Sequence, residues 1–291
     1  MGVILLLEYR RQKTVNGVEI NVSVPAPVDG NGDLWWYDHQ CNQMYNYAAA
    51  GFTAIMWNPV LKSWGGTTQT TDGYGVYDDY DLGNKNQQGS LQTRFGSRES
   101  LQRACAVAKA NGLDIYSNQV PHQRMGGNGG FYNYVGADGK TKNGRFPKTP
   151  SNFFGLDATG KLLPGYVNRD NVAGGAADDK PFGDELCPIN AKPAGYVMQG
   201  LKKAGDWLFK ALDLNGARID DTKGQSFQAV NEWINYGSMK GKFFVGEYSD
   251  GNPGTYRQPF STLDYAIGRC TASRGDVIYI MPGYTQSMTA A

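Results

Sequence analysis

Two short stretches of this sequence put ionisable groups where chemistry could use them. The first, "GARIDDTKG" at 216–224, carries Arg218, Asp220, Asp221 and Lys223 on an otherwise apolar, strand-like segment. The second, "FFVGEY" at 243–248, places Glu247 just after an apolar run, 27 residues beyond Asp220. A helical segment separates them, so the gap is one strand–helix–strand step. Neighbouring parallel strands lie about 4.8 Å apart. Carboxylates at their C-terminal tips can therefore approach to about 5–5.5 Å, the separation used by retaining glycosidases. In that chemistry one carboxylate is the nucleophile and must stay ionised. Arg218, two residues before Asp220 and on the same strand face, can hold it so. The other must keep a proton near neutrality, which calls for a drier setting; the run Phe243–Val245 offers one. The same spacing also suits a pair of salt-bridged loop acids.

The elements that would position these groups alternate. "GVILLLEY" near the start reads as a buried parallel strand, followed by a polar loop to about Asp33. Residues 35–50 carry helical spacing, and "FTAIMWNPV" is a second strand stopped by Pro59. A loop with "GYGVYDDYDLG" leads to a strong helix over about 97–111, in which Cys105 reads as a small core residue. "DIYSNQV" is the third strand. Helix grammar returns with Val197, Leu201, Ala204, Leu208 and Ala211 on one face, then strand, helix and strand again. Such alternation predicts a parallel sheet with crossover helices, and the (β/α)8 barrel fits best because its working loops follow the strand C-termini. An open doubly wound sheet is the alternative. No GxGxxG turn follows the first strand, which removes support for a dinucleotide. Between Arg124 and Pro193 the chain lacks periodicity, and an irregular excursion that long is expected to be functional or a small subdomain.

Composition narrows the classes. The 291 residues carry a net charge of +1 with no basic block, which gives no footing for nucleic acid. The 18 Tyr, 6 Trp and 39 Gly suit ordered loops and flat stacking surfaces, or equally an ordinary aromatic core. The four Cys form no CxxC pair, so zinc is not expected. The apolar run Val3–Leu7 is too short to span a membrane and makes a poor signal peptide, and localisation stays open.

Four stretches in order carry a family resemblance over about residues 2–252. "GARIDDTKG" and "FVGEY" look like the fourth- and fifth-strand motifs of the α-amylase family, glycoside hydrolase family 13. "GFTAIMWNPVLKS" resembles its second strand. "YGVYDDYDLGNKNQQGSLQTRFGSRESLQRACAVAKANGLDIY" is similar to the loop, helix and third strand that follow. The resemblance implies a retaining hydrolase of α-1,4-glucans, with an α-glucan oligo- or polysaccharide as partner. It implies Asp220 as nucleophile, Glu247 as general acid/base, and Arg218 as support for the nucleophile. It further implies Tyr74 stacked on the sugar and Lys223 bonded to sugar hydroxyls. By the same token, residues 1–123 and 194–252 are barrel, and 124–193 is the subdomain after the third strand.

The sequence departs from the family at three places. The third-strand motif reads "NQVPHQ", with Asn118 for the family Asp and His122 shifted by one residue; His122 is a candidate sugar ligand or a structural loop residue. Glu185 in "FGDEL" falls near a family calcium ligand, but no metal or cofactor is assigned. The third family carboxylate, in an F-V-x-N-H-D motif, has no counterpart. Residues 253–291 instead resemble phage structural and β-helix-entry segments, with a helix from Phe260 and a strand at Asp276–Ile280. The expectation is thus an incomplete barrel of five to six strands, truncated or fused between about Ser249 and Tyr256, and weakly active or inactive as written. A non-catalytic glucan-binding or phage-associated protein is the rival reading, and a transglycosylase or isomerase is a third.

Overall fold

The computed structural model describes residues 4–7, 12–15, 18–21, 35–68, 72–154, 159, 161, 183–187, 195–222, 225 and 227–247. Residues 253–291, and with them the expected terminal helix and strand, lie outside the described residues.

The first strand, β1 (Ile4–Leu7), is followed not by a polar loop alone but by two strands, β2 (Gln12–Val15) and β3 (Val18–Asn21). They pair antiparallel, Val15 against Val18. The missed signal is Asn16-Gly17 between two alternating β-forming runs, the dipeptide a two-residue hairpin favours. The segment read as one helix over 35–50 is two, α1 (Trp36–Cys41) and α2 (Met44–Ala49), broken at Asn42–Gln43. Next come β4 (Ala54–Trp57), the short pair β5 (Lys62–Ser63) and β6 (Val76–Asp78), α3 (Arg98–Ala110) and β7 (Asp114–Gln119). Two further short strands, β8 (Gln123–Arg124) and β9 (Asp184–Glu185), bracket the excursion. The last elements are α4 (Tyr196–Leu212), β10 (Gly216–Ile219), α5 (Phe227–Ile234) and β11 (Phe243–Gly246).

Five strands form one parallel sheet in the order β1-β4-β7-β10-β11. Each strand is laid beside the one before it in sequence, which is the path of a (β/α)8 barrel and not of a doubly wound sheet, whose order reverses. The described strands form an open arc of that barrel.

The helices cover the sheet through the stripes their sequences announce. In α3 the Ser97 hydroxyl accepts from the Ser100 N–H at 3.1 Å, capping the first turn. Its inward face buries Leu101, Ala104, Cys105 and Ala108. Helix α4 buries Val197, Leu201, Ala204 and Leu208. A Cβ on Gly205 would stand 2.6 Å from Met239 Sδ and 2.7 Å from Trp233 Nε1, so α5 and the turn after it approach α4 only because this residue is glycine. Trp233 then donates to the Leu201 carbonyl at 3.1 Å.

The loops at the C-terminal side of the sheet are held by buried charge. Lys62 Nζ donates to the carbonyls of Lys85, Ser90 and Leu91 at 3.2, 2.9 and 2.8 Å. Asp78 accepts from Lys85 at 2.8 Å and Gln87 at 2.7 Å. Asp79 is ion-paired to both Arg124 and Lys148 Nζ, the latter at 2.7 Å. These pairs tie the excursion to the sheet: Lys148 lies within it, and Arg124 sits where it begins.

Candidate active site

The backbone ladder runs through the two carboxylate positions. Ile219 pairs with Gln119 on one side and Gly246 on the other. The Asp220 N–H then donates to the Gln119 carbonyl at 2.8 Å, and the Glu247 N–H to the Ile219 carbonyl at 2.9 Å. Both side chains thus leave from positions fixed by sheet hydrogen bonds. After Asp220 the chain turns sharply: Asp221 has φ +40°, a left-handed conformation that Asp tolerates better than most residues. The turn points the Asp221 N–H at Glu247 Oε2, 3.3 Å away. Asp221 therefore begins the loop and contributes its backbone.

Arg218 joins the two acids. One guanidinium nitrogen, Nη1, donates to Asp220 Oδ1, and Nη2 is ion-paired to Glu247 Oε2. The Tyr74 ring centroid lies 6.0 Å from Arg218 Cζ, on the edge of cation–π range. On the other side of Asp220, His122 Nε2 is 3.6 Å from Oδ2. This is an ion-pair distance, longer than a hydrogen bond, and Nε2 has no hydrogen-bond partner although it is buried. His122 Nδ1 faces both oxygens of Glu185 at 3.3 and 3.2 Å. Burial works against an ionised Asp220, but the nearby His122 ring and the Arg218 guanidinium outweigh it and hold its carboxyl below the usual range.

The structure therefore gathers Arg218, Asp220, Glu247, His122 and Tyr74 at the C-terminal end of neighbouring strands. Lys223 lies outside the described residues. The setting foreseen for Glu247 differs from the one observed. Phe243 and Val245 are 52% and 46% exposed, and the Glu247 side chain is 44% exposed. The reason is position: β11 is an edge of the described sheet, so no described strand lies beyond it. Glu185 is the residue that sequence reasoning failed to place in the site. The two-residue β8–β9 ladder sets it opposite Gln123, next to His122. The residues present do not fit a calcium ion at this point. The Glu185 carboxylate is already engaged by His122 Nδ1 at 3.3 and 3.2 Å. Among the described residues no group of three or more His, Cys, Asp or Glu could hold a metal.

Comparisons with known proteins bear on the family and the fold. No family model matches the chain. It is 36% identical over 268 residues to a glucan 1,4-α-maltohexaosidase of Bacillus sp. (strain 707), an alignment covering 76% of this chain and 48% of that protein. It is 35% identical over 252 residues to an α-amylase of Geobacillus stearothermophilus, covering 75% and 45%.

The chain belongs to the α-amylase family.

Among solved α-amylases, those of Anoxybacillus and Malbranchea cinnamomea superpose with TM-scores of 0.53 and 0.52, each at 18% identity and over 87% of this chain. That likeness carries the (β/α)8 fold. Against each of these structures the match covers 48% of the solved α-amylase, and the chain spans about half the length of the curated relatives it matches.

Proposed function

We propose that this α-amylase-family chain carries the nucleophile and the general acid/base of a retaining hydrolase acting on α-1,4-glucans. The observation that carries the reading is the Arg218 guanidinium, which contacts two carboxylates at the tips of adjacent parallel strands. The names of the two relatives, a glucan 1,4-α-maltohexaosidase and an α-amylase, supply the substrate class.

In the first step Asp220 attacks the anomeric carbon while Glu247 gives its proton to the departing glycosidic oxygen, leaving a glycosyl ester on Asp220. In the second, Glu247 takes a proton from water, the water oxygen attacks the same carbon, and the ester bond breaks with configuration retained. Arg218 keeps Asp220 anionic before attack. His122, whose Nε2 stands 3.6 Å from Asp220 Oδ2, lines the side of the site next to the nucleophile. Tyr74 offers a ring against which the C–H face of that sugar stacks. Lys223 is assigned to sugar hydroxyls further along the cleft.

The 291 residues contain no F-V-x-N-H-D motif and so lack the third carboxylate that the family resemblance implies. Assayed by themselves they hydrolyse starch weakly or not at all. Robust turnover that disappears in Asp220→Asn would refute this. The nucleophile is tested separately with 5-fluoro-α-glucosyl fluoride, whose fluoride leaves without help from an acid. The adduct is expected on Asp220 by peptide mass spectrometry. Label on another residue, or label retained in Asp220→Asn, would overturn the assignment. Binding to amylose that survives Glu247→Gln, with no adduct formed, would instead favour a glucan-binding protein.

A further inference from the structure

His122 is held more tightly than a sugar ligand on a loop requires. Its carbonyl accepts from the Leu186 N–H at 2.7 Å. Arg124 Nη1 donates to the carbonyl of Val120 at 2.8 Å and also to that of Gln123, so one buried guanidinium spans the peptide segment carrying the histidine. The ring is fixed by Glu185, itself only 5% exposed and paired in register with Gln123. Glu185 is 63 residues from His122 in sequence, at the far end of the excursion.

Counting protons on the ring decides its state. Nδ1 faces Glu185 and Nε2 faces Asp220. A neutral imidazole has one N–H and would turn a lone pair toward one of these carboxylates, whereas the doubly protonated ring presents an N–H to each. The charged groups acting on it are Glu185 from β9, Asp220 from the end of β10, and Asp221 beyond; Arg218 is the cation on the opposite side of Asp220. Burial disfavours the imidazolium, but the Glu185 charge, the nearby Asp220 carboxylate and the hydrogen bond to Glu185 outweigh it and push His122 up to about 10.

We infer that Glu185 is a positioning residue for Asp220, acting through His122. It orients the ring and supplies the negative charge that keeps both nitrogens protonated. Asp220 is then flanked by two fixed positive charges, Arg218 and His122, and the second is anchored in the excursion and not in the barrel. The inference rests on the reading of Asp220 as nucleophile, and it makes the placement of β9 a determinant of how that nucleophile is held.

Nuclear magnetic resonance of the imidazole nitrogens tests it directly, because the chain has two histidines and His39→Asn leaves His122 alone. In the otherwise unaltered protein, both His122 nitrogens are expected to stay protonated through about pH 8. Glu185→Gln is expected to lower the His122 midpoint by about 2 pH units or more. It should also slow labelling of Asp220 by 5-fluoro-α-glucosyl fluoride, with the pH dependence of labelling following the ring, while Glu185→Asp restores both in part. A His122 with Glu185 intact that titrates near its ordinary value overturns the inference, as does a Glu185→Gln ring that titrates like the original. Should Glu185→Gln fail to fold, the titrations with Glu185 and with Glu185→Asp decide. A midpoint that shifts as expected, with no label on Asp220, would sink the nucleophile and leave the Glu185–His122 coupling standing.

Discussion

Ile219 pairs in register with Gly246, and this one pairing brings the next residue of each strand, Asp220 and Glu247, to the same level of the sheet. A slip of one residue would turn one of the two side chains to the opposite face. Gly246 leaves room for the turn that follows β10: a Cβ there would stand 2.6 Å from Thr222 Oγ1 and 3.1 Å from Thr222 Cβ.

Gly246→Val should therefore push Thr222 away and break its N–H bond to the Glu247 carbonyl, now 2.8 Å. The expected cost is about 1–3 kcal/mol in urea unfolding, as for an overpacked site, with loss of Asp220 labelling beyond what stability explains. Full labelling in a folded Gly246→Val protein would show that the register tolerates the extra methyls.

Arg218→Met removes the cation shared by the two acids. Asp220 sits below its ordinary value, so the stability it contributes is present above about pH 3.9 and lost as pH falls through its lowered native value. With Arg218 gone, burial raises Asp220, and acid unfolding should begin at higher pH. Tryptophan fluorescence across an acid titration reads this, and an unchanged midpoint would mean that His122 alone sustains the Asp220 charge.

His122 works in the opposite sense. Its native value, raised to about 10, lies above the ordinary 6.5. The stability it contributes is complete below about pH 6.5 and lost as pH rises toward about 10. Lys148, lowered to about 8, titrates above most of the first part of that window, and its deprotonation favours folding. The slope of stability between about pH 6.5 and 8 thus reports mainly on His122, and His122→Asn should flatten it. An equal slope in both proteins would place the linkage elsewhere.

Asp79 is buried between Arg124 and Lys148. Asp79→Asn leaves two buried cations uncompensated and should cost about 3–5 kcal/mol in urea unfolding. Adding Lys148→Met should recover part of that loss. Because Arg124 also binds the carbonyls around His122, the single variant should broaden the His122 ring signals as well.

What the sequence determined by itself is local in origin. Strand and helix periods, the Ser97 cap and the polar residue after each strand depend on neighbours a few positions apart, so the alternating order, the arc of parallel strands and the placing of Asp220 and Glu247 at strand ends could all be read. So could Arg218 beside Asp220, two residues apart on one strand face. The β2–β3 hairpin was equally local, and Asn16-Gly17 announced it. Tertiary structure alone decided the rest, because it depends on contacts between distant segments. Glu185 meets His122 across 63 residues through a ladder two residues long, and so short a pairing leaves no periodicity to read. Asp79, Arg124 and Lys148 look like surface charges in a polar loop; only the fold shows them buried together, since burying any one requires the others. The exposure of Glu247 was likewise beyond the sequence, because "FFV" states how apolar a strand is and not whether another strand covers it.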